Sequence, residues 1–252
     1  VDFLALIAAL AAGLVAGAVN AMAGGGTLIT YPALLLIGHG PIVANATSTL
    51  ALWPGYVAAT VGFRPNLAGT SRLALTLAGP SLAGGLTGAI LLLATPKRLF
   101  EIFVPFLVLL ATVLLALQGR MADRPAEVRL EGRRLAGAVV FQFLAGVYGG
   151  YFGGALGFLL LAGFGLFGMR DMLQMSGLKN LLTVLINGSA LAFFVAQGRV
   201  AWRDGLVMAA GALAGGYGGA RLARRIGGEA VRRGVVALGI LVSVGLLIRV
   251  LV

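Results

Sequence analysis

Two short polar clusters carry the chemistry that this sequence offers. Asn45-Ala46-Thr47-Ser48-Thr49 opens one long apolar run, and Ser176-Gly177-Leu178-Lys179-Asn180 opens another, with Asn187 two turns further on. Near a helix start, amide, hydroxyl and ammonium donors join backbone N–H groups that lack an intrahelical acceptor, and the helix macrodipole adds partial positive charge. Such a combination holds an anion. Asn45, Thr47 and Ser48 would serve equally as helix caps, and Lys179 as an anchor reaching to the membrane surface; the recurrence of the cluster in two places favours a binding site. Asn20, Gln142, Tyr148 and Tyr151 are further polar groups within apolar runs, close to glycine clusters.

Catalytic constellations are missing from the sequence. His39 is the single histidine, in the turn Gly38-His39-Gly40-Pro41, and reads as structural. The eight acidic residues fall in loops or at helix ends, where no buried carboxylate for proton coupling is evident. With no cysteine there is no thiol chemistry, disulfide or thiolate metal site. The expectation is a protein that is not an enzyme and holds neither metal nor cofactor.

The elements that position these residues must be membrane helices. Of 252 residues, 60% are hydrophobic and 11% charged, and the mean hydropathy is +1.01. A spanning helix needs ~20 mostly apolar residues, so the chain has room for roughly eight to ten helical segments and little else. The apolar runs are continuous and do not alternate, which disfavours a β-barrel. They fall at about 3–22, 27–38, 42–62, 73–94, 99–117, 135–152, 156–168, 177–197, 205–222 and 234–252. The fold class is therefore an all-α polytopic membrane protein. The net charge of +11 sits mainly in short loops between apolar runs, where orientation and anionic lipid explain it and nucleic acid is not needed.

The runs divide into two homologous repeats, 1–118 and 135–252, joined by a basic linker at 119–134. Leu82-Ala83-Gly84-Gly85-Leu86-Thr87-Gly88-Ala89 matches Leu213-Ala214-Gly215-Gly216-Tyr217-Gly218-Gly219-Ala220, and a short basic loop and a last apolar helix follow each copy. The second run of each half is too short for a ~30 Å hydrocarbon core. Each follows a glycine cluster, one containing Gly24 and Gly25 and the other Gly153 and Gly154. Paired short, glycine-broken helices at corresponding places are the best sequence pointer to a transport site. If the short runs count as crossings, the halves are inverted and 14 basic residues face 5; otherwise the split is 10 against 9. The positive-inside rule favours inverted repeats with a cytoplasmic linker.

At these residues the sequence resembles the TauE/SafE sulfite exporter family, also called the 4-toluenesulfonate uptake permeases. The resemblance lies in Ala23-Gly24-Gly25-Gly26, a proline-containing short run and Asn45-Ala46-Thr47-Ser48. The second half adds Leu178-Lys179-Asn180 and Gly219-Ala220-Arg221-Leu222-Ala223-Arg224-Arg225. It spans nearly the whole chain, although the second glycine run is split by Tyr151-Phe152. It implies a multi-pass permease of the bacterial inner membrane, built from a duplicated unit, that moves sulfite, sulfoacetate or aryl sulfonates. The expected site comprises Asn20, Gly24, Gly25, Asn45, Thr47, Ser48, Tyr151, Gly153, Gly154, Lys179, Asn180 and Asn187. The expected partners are a small anion and membrane lipid, with a homo-oligomer as an open alternative and no nucleic acid. An anion channel and a non-transporting membrane scaffold remain the rival readings.

Overall fold

The computed structural model describes residues 3–22, 25–117, 132–169 and 171–226, with scattered positions between 233 and 248. Gly24, most of the linker and much of the last apolar run lie outside these residues. Among the described residues there are α-helices and one 3-10 turn, and no strand. The helices are α1 (Phe3–Met22), α2 (Thr27–Ile37), α3 (Pro41–Gly62), α4 (Ser71–Ala94), α5 (Lys97–Leu117), α6 (Gly132–Tyr151), α7 (Leu156–Leu166), α8 (Met172–Ala196) and α9 (Trp202–Ile226).

Their boundaries have local causes. Gly25, two residues before α2, sits at φ 86°, and Gly38 at φ 106° closes α2 in the left-handed conformation open to glycine. There the N–H groups of Gly38 and His39 bond the carbonyls of Leu35 and Leu34. Pro41 starts α3 at a position where its missing N–H costs nothing. The side chain of Asp171 accepts the N–H of Gln174 (3.2 Å) and so caps α8. Both short helices have 11 residues, about 16 Å of helix, a little shorter than the expected runs at 27–38 and 156–168.

Glycines set the packing. Gly13 and Gly17 of α1 press on the backbone of Met208 and Ala212 in α9, while Gly211 and Gly215 of α9 press on Leu10 and Leu14. Likewise Gly84 and Gly88 of α4 press on Phe143 and Val147 of α6, and Gly150 on Gly85. These two contacts, α1 with α9 and α4 with α6, are the most extensive between helices. In each, backbones meet with no side chain between them, the small-residue packing that substitutes for a hydrophobic drive in lipid.

The same contacts fix the sense of each helix. Numbers rise together along α1 and α9 and along α4 and α6, so both pairs are parallel. Thr47 lies beside Ala201 and Leu50 beside Gly205, which makes α3 parallel to α9. In contrast, the Trp53 Nε1–H donates to the Val184 carbonyl (3.1 Å) while Phe63 meets Gly177, so α3 and α8 are antiparallel. Since α1 and α3 both follow α9, they run the same way, and the short α2 is the return stroke between them.

Polarity is arranged inside out. Leu75 is 77% exposed and Phe106 55%, whereas Thr30, Asn45, Thr47, Ser48, Ser81, Gln142, Asn180, Thr183 and Asn187 are buried. Among the described residues, the stretches at Phe3–Asn20, Ser71–Ala94 and Gln174–Ala196 are long and apolar enough to cross a membrane on composition alone. Helices α3 and α6 are not among them; α3 carries Asn45 to Thr49, and α6 carries Arg133, Arg134 and Gln142.

Candidate functional site

The second glycine break, from Tyr151 to Ala155, is held by contacts from α2, α3, α5 and α6. Asn45 on α3 donates its Nδ2–H to the Tyr151 carbonyl (3.0 Å), and the Tyr148 hydroxyl donates to the Gly154 carbonyl (2.5 Å). Phe152 packs edge-on against Tyr31 of α2, and Tyr151 against Phe100 of α5. The Tyr151 hydroxyl also reaches Thr95 Oγ1 (3.3 Å). Gly153 sits at φ 73°, and Ala155, immediately before α7, is at φ 55°, the one non-glycine residue with positive φ among those described. A left-handed alanine costs roughly 1–3 kcal/mol and persists only where its surroundings over-determine it.

This scaffold leaves donors unused. The N–H of Gly153 bonds the Tyr148 carbonyl and that of Leu156 the Gly153 carbonyl, but those of Gly154 and Ala155 meet no acceptor among the described residues. They lie at the positive, N-terminal end of α7. Lys179 of α8 lies across the first turn of the same helix: a Cβ at Gly157 would come within 3.3 Å of its Cδ and 3.6 Å of its Nζ. No carboxylate or other described group pairs with that ammonium. Asn45 is 1% exposed, and its Oδ1 has no hydrogen-bond partner; the same holds for the buried Thr183 Oγ1, one turn beyond Lys179 and Asn180, and for Gln142 Oε1. The amides of Gly154 and Ala155 and the Lys179 ammonium thus gather donors at the N-terminal end of α7, whereas the unpaired carboxamide oxygens are acceptors and add nothing to anion binding.

The first break is closed differently. Asn20 Oδ1 accepts the Gly26 N–H (2.9 Å), and Thr30 Oγ1 bonds both the Gly26 carbonyl (3.2 Å) and Ser48 Oγ (2.5 Å). Gly25 supplies the turn.

The sequence-predicted residues thus separate into groups. Asn45, Tyr151, Gly153, Gly154 and Lys179 gather along the second break and α7, while Asn20, Gly25 and Ser48 gather at the first. Thr47 points elsewhere, accepting the Ala201 N–H ahead of α9 (3.0 Å). Asn180 and Asn187 are buried along α8. One expectation changes: the two polar clusters do not open their helices. Pro41 and the Asp171 cap start α3 and α8 earlier, so at Asn45 and Lys179 the backbone amides are already within the helix. The free amides belong to α7 instead. His39 also does more than form a turn, for its Nε2 lies 2.7 Å from Asp204 Oδ2 and ties the α2–α3 turn to α9. Ala155, Gly157, Thr30 and Thr183 escaped the sequence reading, because small or singly polar residues in apolar runs give no signal of their own.

Comparison with known proteins finds membrane transporters. The family model described as Sulfite exporter TauE/SafE matches residues 9–246. The chain is 30% identical to the probable membrane transporter protein YfcA of Escherichia coli, over 93% of this chain and 86% of that protein. It is 29% identical to a probable membrane transporter protein of Haemophilus influenzae, over 96% and 94% respectively. A probable membrane transporter protein of a Sinorhizobium species is 30% identical over 95% of this chain and 90% of its own length.

Proposed function

We propose that this chain, which belongs to the Sulfite exporter TauE/SafE family and is a multi-pass membrane transporter, is a secondary permease of the bacterial inner membrane for small sulfur-containing anions. Sulfite, sulfoacetate and other organosulfonates are its substrate class. The observation that carries this reading is the N-terminal end of α7, where the amides of Gly154 and Ala155 have no acceptor among the described residues and the Lys179 ammonium of α8 lies over Gly157 in the first turn. A sulfite or sulfonate group presents several oxygens that these donors match. Carboxylate and phosphate would engage the same donors, so the preference for sulfur rests on the family.

The transport cycle follows from an inverted pair of repeats, 1–118 and 135–252. In support, α1 and α6 each have 20 residues, and α2 and α7 each have 11. The packing also exchanges: the first helix of each half lies along the fourth of the other, and the third helices, α3 and α8, cross antiparallel. Two halves so interlocked rock against each other around a central site, which gives alternating access.

Proteoliposome counterflow tests the proposal. Labelled sulfite or sulfoacetate outside should be driven inward faster when unlabelled substrate is trapped inside, and phosphate or acetate inside should leave the rate unchanged. Flux indifferent to the trapped anion would mark a channel. Acceleration by phosphate or acetate in preference to sulfite would overturn the substrate class, and an inert protein would favour the scaffold.

A further inference from the structure

We infer that Tyr148 is a positioning residue for the anion site: its hydroxyl holds the peptide between Gly154 and Ala155 in a strained orientation that turns the Ala155 N–H away from Tyr148, free to meet the anion. This rests on the anion reading of the α7 end given above.

A trans peptide is planar, and its C=O and N–H point in opposite directions, so fixing one aims the other. The N–H groups of Gly154 and Ala155 are free, and the carbonyl across each of those peptides is anchored. The Gly153 carbonyl accepts the Leu156 N–H at 3.3 Å, a bond made within the turn itself. The Gly154 carbonyl is held from outside the turn, by the Tyr148 hydroxyl at 2.5 Å.

Ala155 is what makes that second anchor necessary. At φ 55° and ψ 18° it is left-handed, a conformation that its Cβ disfavours. Turning over the peptide before it would carry φ from the positive to the negative range, as the central peptide does between type II and type I turns. The strain would be relieved, and the Gly154 carbonyl would stand where the N–H had been. Left to itself, the alanine favours the orientation that repels an anion. The Tyr148 hydroxyl opposes it, and a bound anion adds to the same side of the balance.

Tyr148 is itself firmly placed. Its carbonyl accepts the N–H groups of Phe152 (2.9 Å) and Gly153 (3.1 Å), and its side chain packs against both large apolar clusters of the interior. The next residue, Gly149, leaves the last turn of α6 no room to shift, since a Cβ there would come within 2.7 Å of Ile186 Cγ2 and Leu156 Cδ2. Tyr148→Phe keeps the backbone bonds and the ring, and removes the hydroxyl alone.

Equilibrium dialysis of purified protein with labelled sulfite tests the inference as a double-mutant cycle, with thermal melts to confirm folding. Tyr148→Phe should weaken sulfite binding by roughly tenfold, the scale set by a left-handed alanine that is free to relax. In an Ala155→Gly background the same change should cost no more than about threefold, because glycine adopts the left-handed conformation without strain. A hydroxyl that only braced α6 would cost the same in both backgrounds. Where Tyr148→Phe alone does not fold, the comparison within the Ala155→Gly background still reads the hydroxyl, and a tenfold loss there overturns the inference. Equal binding by the parent and Tyr148→Phe, or an equal loss in the two backgrounds, also overturns it and leaves the anion site standing. No sulfite bound by the parent overturns the anion reading and the inference with it.

Discussion

Lys179→Ala is expected to weaken substrate binding roughly tenfold to a hundredfold, since a lost charge-assisted contact costs ~1.5–3 kcal/mol and each decade is ~1.4 kcal/mol. The lysine lies against α7 with no anionic partner among the described residues, so a bound anion is the counter-charge that its position invites. Attraction there acts in a poorly screened setting, unlike that at an exposed surface. Lys179→Arg should not restore affinity, because a planar guanidinium needs a different cavity from a compact ammonium. Ser48→Ala is the comparison. Its hydroxyl is engaged with Thr30, so its loss should lower stability and leave affinity nearer the parent's. Binding isotherms in detergent, with thermal melts alongside, separate the two effects. Parent-like affinity in Lys179→Ala would make the lysine a surface anchor and leave the amides of α7 to hold the anion alone.

Gly150→Ala and Gly17→Ala should each lower the melting temperature by roughly 5–10 °C, the upper end of what overpacking costs, about 1–3 kcal/mol. A methyl group at Gly150 collides with the Gly85 carbonyl, and one at Gly17 with that of Ala212. Neither obstacle is a side chain that could turn aside. For relief a whole helix must move, and α1–α9 and α4–α6 are the most extensive contacts between one half of the chain and the other. Gly79→Ala on the exposed side of α4 provides the control, since nothing lies within 4 Å of its added Cβ. Alanine's better helix propensity should make that variant neutral or slightly more stable. Equal effects at Gly79 and Gly150 would show that helix propensity, and not close approach, governs these glycines.

Helix positions were largely legible in the sequence because the hydrocarbon core demands long apolar runs and the breaks demand glycine. The short helices at 27–37 and 156–166 follow the expected segments within two residues. The partners of the helices were not legible. Small residues announce that something approaches closely, but one sequence does not say that Gly17 meets Ala212 across the chain. The candidate site was half legible. Lys179, Asn45, Gly153 and Gly154 stood out as polar groups or glycines in apolar surroundings. The unpaired amides did not, because helix starts depend on a proline at Pro41 and a side-chain cap at Asp171, which shift the free N–H groups away from the polar clusters. Nothing in the sequence marked Ala155 as left-handed. Its conformation is imposed by the contacts that pin Tyr151 to Gly154, and these come from helices far away in sequence.

The most direct measurement is the location of a bound sulfonate. Crystals grown with 4-bromobenzenesulfonate, read by bromine anomalous scattering together with the density of the sulfonate, would place the anion. The account predicts the sulfonate oxygens within hydrogen-bonding distance of the Gly154 and Ala155 N–H groups, with the Lys179 ammonium close by, and much weaker density in Lys179→Ala at a concentration near the parent's dissociation constant. A sulfonate seated at the N-terminal ends of α3 or α8, or density at the α7 end that persists unchanged in Lys179→Ala, would contradict it.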